Sequence, residues 1–177
     1  MEKIARFKDI PQFTTSGNWQ CDFEPVGLIK FIDEQVSEEG LQLNPKFQRG
    51  HVWSDKQQIA YIEYFLKGGK SGTVIYLNKP DWNINMPVGE YNEFVCVDGL
   101  QRITAFRRFI NNEIKIFDSY FREYTDKLRM KFTIKVNIND LKSEKEVLQW
   151  YVDMNAGGTP HTSGEIEKVR KMIQELG

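Results

Sequence analysis

The stretch "FVCVDGLQRITAF", residues 94–106, puts an acid, a glycine, an amide and a guanidinium where an apolar run gives way to a helical pattern. Phe94 to Val97 read as a buried strand, Asp98 and Gly99 as its turn, and Leu100 onward as the start of a helix. The first turn of a helix carries backbone N–H groups without internal partners, and its dipole favours anions. Gly99 lets a ligand approach the backbone closely, with Gln101 and Arg102 beside those N–H groups. A guanidinium grips phosphate oxygens with two prongs. Asp98 would hold a metal ion such as Mg2+ or orient a water. Phosphate sites in α/β proteins are commonly built this way. A competing reading makes Asp98 a plain helix cap and Arg102 the partner of a surface acid.

Two further stretches bear on the choice. "NPKFQRGHVWS", residues 44–54, also places a Gln-Arg pair, Gln48 and Arg49, just upstream of a strong helical pattern. Two such pairs before two helices would converge on one anion. "MNAGGTPHTSGE", residues 154–165, is a glycine-bearing turn between helical patterns, with Asn155 at its head. An ordinary helix–helix connection accounts for it equally well. Charge adds a third clue. Residues 1–40 hold four basic and eight acidic side chains, whereas residues 99–135 hold nine basic and four acidic ones. The basic middle, with Arg107, Arg108, Lys127, Arg129 and Lys131, suits phosphate, as nucleotide or as DNA. A solvated face of mixed charge is the plainer alternative.

The elements that must position these residues are legible in outline. Residues 1–24 read as an irregular segment, and residues 25–177 as one domain. Leu28, Ile29, Ile32 and Val36 recur at helical spacing, and Gly40 fits the helix end. Ser54, with Gln57 three residues on, makes a capping box for the next helix, over Ile59, Ile62, Phe65 and Leu66. Residues 73–78 and 93–98 read as strands, and 79–92 as a loop. After the Asp98 turn, Ile103, Phe106, Phe109 and Ile110 point inward while Arg107 and Arg108 point outward. Residues 113–118 suggest a short strand, and Phe132, Ile134, Val136 and Ile138 alternate as a strand does. Ser143 caps a helix over Val147, Leu148, Trp150 and Tyr151. Thr162 or Ser163 caps the last one, with Glu165 able to complete a box. Few strands among several helices predict an α+β (mixed α/β) fold with a small mixed sheet.

Composition narrows the class of protein. A chain of 177 residues with 40% hydrophobic and 13% aromatic residues can bury one good core. No apolar run approaches a membrane span, and the N-terminus lacks the apolar stretch of a signal peptide, so a cytoplasmic protein is expected. His51 and His161 are the only histidines and Cys21 and Cys96 the only cysteines, too few for a His-rich metal site or a disulfide framework. Cys96, within an apolar strand, reads as an inert core thiol.

Taken together, "NPKFQRGHVW", "VDGLQRITAF" and "WYVDMNAGGTPHTSGE" resemble the ParB/sulfiredoxin-like N-terminal domain of GmrSD-type modification-dependent restriction enzymes and related phage-defence proteins. That family shows a proline followed by an aromatic-Gln-Arg and Val-Trp before a helix. An Asp-Gly-Gln-Gln-Arg motif follows at a strand-to-helix turn, then an aromatic helix ending in Asn and a glycine turn. Order and spacing fit from about residue 25 to 175. The resemblance implies nucleoside-triphosphate binding, often with hydrolysis and Mg2+, coupled to DNA recognition or cleavage. By position it assigns Asp98, Gly99, Gln101 and Arg102 to the central site, Gln48 and Arg49 to a supporting pair, and Asn155 to the far side. Leu100 stands where the family has Gln, which implies slow hydrolysis or none. The chain stops before an HNH nuclease domain could begin, so cutting by that route is not expected. Alternatives from the same residues are a DNA-binding module without catalysis, and an interaction protein that engages a larger protein partner or a second copy of itself.

Overall fold

A computed structural model describes residues 4–6, 10, 19–48, 50, 52–82, 89–128, 132–155 and 163–176. In chain order the elements are β1 (Trp19–Phe23), α1 (Pro25–Glu38), α2 (Asp55–Leu66), β2 (Val74–Asn78), β3 (Val95–Asp98), α3 (Leu100–Ile110), β4 (Ile134–Asn139), α4 (Glu144–Asn155) and α5 (Ser163–Glu175). The four strands form one sheet in the order β1-β4-β2-β3. β1 runs antiparallel to β4, β4 parallel to β2, and β2 antiparallel to β3. The expected α+β class with a small mixed sheet is what forms.

Period-two alternation splits the sheet between two cores. Cys96 of β3, Ile75 and Leu77 of β2, and Ile134, Val136 and Ile138 of β4 face one core, which α1, α2 and α3 close with Leu28, Ile32, Ile62, Phe65, Ile103 and Phe106. Val95 and Val97 face the other, built with Val147, Leu148, Trp150 and Tyr151 of α4 and Val169 of α5. Phe106 is 1% exposed and meets Tyr61 and Phe65 edge-on, at 5.7 and 5.0 Å between ring centroids. Phe106→Ala should therefore cost about 3–5 kcal/mol, read as a fall in urea midpoint at unchanged slope.

Helix ends follow the capping rules. Ser54 and Gln57 form the full capping box of α2. Both Glu24 carboxylate oxygens accept from the first turn of α1, from Val26 and Gly27 N–H. Ser143 accepts from the Glu146 N–H at the start of α4. The cap expected from Thr162 or Ser163 with Glu165 lies outside the described side chains.

Two local readings are corrected. Within residues 1–24, Trp19–Phe23 is a strand: Trp19 and Phe23 turn inward to stack on Phe31, while Gln20 and Asp22 face solvent. Residues 113–118 form no strand beyond an isolated bridge between Ile116 and Ser119. Phe117 and Asp118 take left-handed backbone angles, φ 48° and 63°, which fold the chain back on itself at once.

Candidate functional site

The junction of β3 and α3 is built from the inside out. Strand alternation turns Asp98 to the same side as Cys96, toward α2 and α3. Gly99 is the N-cap of α3, with φ at +136°. A Cβ there would lie 2.9 Å from both Cγ1 and Cγ2 of Ile75. The glycine is therefore required by its backbone angle and by strand β2 beneath it. The sequence suggested an opening for a ligand at that Cα, but its Cβ direction is closed by Ile75.

Arg102, one turn into α3, lies back over the strand ends. One terminal guanidinium nitrogen donates to Asp98 Oδ2 at 2.8 Å and to the Val74 carbonyl at 2.9 Å. The side chain is 15% exposed, and Nε is buried without a hydrogen-bond partner. Burial pulls the guanidinium pKa down, but the Asp98 carboxylate outweighs burial and holds it above its ordinary value. Tyr61 of α2 stands beside the pair, with its hydroxyl donating to the Gly72 carbonyl at 2.8 Å. Burial pushes the Tyr61 phenol well up; Arg102 opposes this and Asp98 adds to it. The result is a part-buried, permanently charged arginine, its Nε closed off from solvent, on a carboxylate whose side chain is 43% exposed. Asp98 is thus Arg102's partner first, and any metal-holding role falls to its other oxygen.

The two glutamines cross-brace the two Gln-Arg segments. Gln48 Nε2 donates to the Cys96 carbonyl on β3. Gln101 Oε1 accepts from the Val52 and Trp53 N–H groups at 3.0 and 3.1 Å, and its Nε2 donates to the Gly50 carbonyl at 2.7 Å. Each glutamine holds the other's segment, so the loop after Pro45 is tied against the start of α3. Both ends of the Gln101 amide are engaged. Gln101, expected as a catalytic group, is placed here as a brace: its oxygen and one of its two N–H donors are taken by the loop backbone. Leu100 points into the protein, at 9% exposure.

The Cys96 thiol lies in β3, just ahead of the first turn of α3. Burial pushes the Cys96 thiol up from 9.0 to about 12. The folded-state value is raised, so the neutral thiol's contribution to stability is intact below pH 9 and lost as pH rises through about 12. Cys96 is fully buried and Cys21 half-buried. A thiol-specific reagent at pH 8 should modify Cys21 in the native protein and both cysteines only after denaturation. Rapid native modification of Cys96 would contradict this placement.

The remaining expected residues are dispersed. Asn155 donates to the Tyr151 carbonyl of its own helix, in the α4 layer on the sheet face opposite Cys96. Arg107 is held by Asp33 of α1 at 2.5 Å, and Arg108 by Asp55 at 2.7 Å, Gln58 at 3.1 Å and Glu113 at 3.2 Å. These arginines, read from the sequence as an outward pair suited to phosphate, brace α3 to α1 and α2 through exposed carboxylates. Lys127 is exposed, on the rim of an aromatic groove of about 780 Å³ between Phe109, Phe117, Phe121 and Phe132 at the far end of α3. Arg49, Arg129 and Lys131 lie outside the described residues.

Tyr61 and Gln58 escaped the sequence reading. Gln58, Tyr61, Ile62 and Phe65 fall at helical spacing on one side of α2, and that polar-aromatic stripe was the available signal.

Among the described residues, no three His, Cys, Asp or Glu side chains cluster as metal ligands. A cage built wholly of protein is therefore not formed there, whereas Mg2+ held through one carboxylate plus ligand phosphates and waters suits Asp98. No helix of the described residues is long and apolar enough to cross a membrane. A family model described as GmrSD restriction endonuclease, N-terminal domain, matches residues 28–136. No curated protein and no solved structure matches the chain.

Proposed function

Since the chain belongs to the family of GmrSD restriction endonuclease N-terminal domains, we propose that it binds a nucleoside triphosphate at the Asp98–Arg102 corner, in the service of a restriction or phage-defence system acting on DNA. The observation that carries this reading is Arg102. Its guanidinium is fixed in direction through one terminal nitrogen by Asp98 and the Val74 carbonyl, Nε is closed off, and the other terminal nitrogen is the donor left to meet an oxyanion. Phosphate oxygens arriving there meet a fixed charge in a part-desolvated corner, where electrostatic attraction exceeds that in water.

The roles divide among a few residues. Arg102 grips phosphate, and Asp98 orients Arg102. When Mg2+ is bound, Asp98 holds it beside the ligand phosphates and the ion neutralises their charge. Gln48 and Gln101 tie Gly50, Val52 and Trp53 to the strand and helix that carry the site. No free amide or acid stands in the position of Leu100 or Gln101 to polarise a water. The protein is accordingly read as a binder with slow turnover or none. Calorimetric titration with ATP, GTP, CTP and UTP, each with Mg2+, tests this. Saturable binding of one of them is expected, and absence of binding for all four rejects the reading.

Gln101 supplies a separate check. Gln101→Met removes three hydrogen bonds to the loop at similar side-chain length. Gln101→Glu keeps an acceptor for Val52 and Trp53 but sets a carboxylate oxygen against the Gly50 carbonyl and adds a negative charge near the phosphate. Triphosphate affinity should fall roughly tenfold or more in Gln101→Met, one net hydrogen bond being worth about 1 kcal/mol. Gln101→Glu should lose at least as much. The Val52 and Trp53 amides should exchange with solvent faster in Gln101→Met than in wild type. Equal affinity in all three proteins would show that the brace does not serve the site.

The DNA-binding alternative rests on the basic middle of the chain. The engagement of Arg107 and Arg108 by carboxylates lowers the cation count that this surface presents.

A further inference from the structure

We propose that the turn between α2 and β2 holds a phosphate group, in a second anion subsite distinct from Arg102. A small cavity of about 160 Å³ opens there, lined by Lys70, Thr73, Thr133, Lys135, Gly69 and Asp22 among others. Its size admits one tetrahedral oxyanion with a water, and little more. Two ammonium groups against one carboxylate leave it a net charge of +1.

The sequence "KGGKSGT", residues 67–73, explains why the chain makes this pocket. Gly68 ends α2 with φ at +91°, and a Cβ on Gly69 would lie 2.2 Å from the Tyr64 ring. Side chains at both positions are thus excluded, and the turn closes tightly. The Gly68 and Gly69 N–H groups bond back to the Phe65 and Tyr64 carbonyls at 2.9 and 3.0 Å. They are therefore not the anion donors; their work is to present Lys70. Thr73 Oγ1 donates to the Lys70 carbonyl at 3.2 Å and pins the turn from its other end. Across the cavity, the Lys135 N–H donates to the Thr73 carbonyl at 2.9 Å, which fixes Lys135 and Thr133 opposite Lys70. The donors left for an anion are the Lys70 and Lys135 ammonium groups and the Thr133 hydroxyl. Asp22 competes for one of them, at 3.5 Å from Lys135 Nζ. Since that pair is 39% and 55% exposed, it is a weak competitor.

The cavity adjoins the Arg102 corner. Val74 lines it, and the Val74 carbonyl is the one Arg102 holds. Gly72, within the turn, accepts from Tyr61, the neighbour of Asp98 and Arg102. The subsite itself needs only one phosphate group, either from a nucleotide or from a nucleic-acid backbone.

Inorganic phosphate titrated onto the 15N-labelled protein is the first probe. The amides of Lys70, Thr133 and Lys135 should shift saturably. Lys70→Ala should weaken the apparent affinity about tenfold, as expected for one charge-assisted bond, and Asp22→Asn should strengthen it by removing the competing carboxylate. Lys70 is exposed, so its loss leaves the fold intact. No shift at these amides, or equal affinity in wild type and Lys70→Ala, overturns the proposal.

Nucleoside triphosphate and a single-stranded oligonucleotide then identify the source. Weakening by Lys70→Ala of only one of them assigns the phosphate to that ligand, and loss of about one unit of salt slope accompanies it for the oligonucleotide. Weakening of neither overturns the subsite as a functional one. Arg102→Lys separates the two readings. Phosphate shifts at Lys70 that persist in Arg102→Lys, with triphosphate binding weakened tenfold or more, support two distinct sites. Their joint loss in that variant overturns the second one.

Discussion

Arg102→Ala is expected to abolish nucleotide binding and to lower stability by about 1–3 kcal/mol. The stability term arises because the Val74 carbonyl, a part-buried acceptor, loses its donor, a cost of about that size. The contribution from Asp98 is smaller, since its side chain is 43% exposed and water replaces the guanidinium there. The binding term is larger because the whole charge aimed at phosphate disappears. Arg102→Lys separates the two effects. Lysine keeps the positive charge but not the rigid fork, so one ammonium must choose between Asp98, Val74 and a phosphate oxygen. The Lys variant should fold nearly as stably as wild type and still bind nucleotide at least tenfold more weakly. Chemical denaturation paired with calorimetry checks both, and a Lys variant binding as wild type does would remove Arg102 from the site.

Gly99→Ala is expected to destabilise by about 2–6 kcal/mol, and Gly99→Val to leave little folded protein. Two costs combine at this one residue. A side chain at φ +136° sits in a backbone region nearly reserved for glycine, at about 1–3 kcal/mol. The new Cβ would also lie 2.9 Å from two carbons of Ile75, which is itself fully buried and unable to retreat. Overpacking of that kind costs about 1–3 kcal/mol more. Domains of this size are stable by only about 5–15 kcal/mol, so the sum is decisive. A double-mutant cycle with Ile75→Ala isolates the steric part. Gly99→Ala should cost less in the Ile75→Ala background than in wild type. Additive effects of the two substitutions would assign the whole penalty to the backbone angle.

Local chemistry was the most legible part of the sequence. Ser54 and Gln57 announced the start of α2 because a capping box is satisfied within four residues. The alternation of Ile134, Val136 and Ile138 announced β4, since all three face one core. β1 was hidden because its five residues mix Trp19, Cys21 and Phe23 with Gln20 and Asp22, too short a period to stand out after a polar segment. Its existence depends on pairing with β4, more than a hundred residues later. The site shows the same division. Asp98 and Arg102 were both legible as site residues on a strand-to-helix turn, but their ion pair was not, the acid being read as a metal ligand or a cap. The engagement of Gln101 was not legible either, because its partners Gly50, Val52 and Trp53 lie about fifty residues away. The acids that hold Arg107 and Arg108 come from α1 and α2, so the sequence showed a free basic face where the fold has ion pairs.

The measurement that bears most directly on the central claim is thermal melting of wild type and Arg102→Lys with each of the four nucleoside triphosphates, with and without Mg2+. A ligand at a hundred times its dissociation constant stabilises the folded state by about 2.7 kcal/mol, a shift of several degrees for a domain of this size. The account predicts such a rise in wild type with at least one nucleotide, and its fall to about half or less in the lysine variant. A wild-type melting temperature unmoved by every nucleotide, or a rise that Arg102→Lys retains in full, would contradict it.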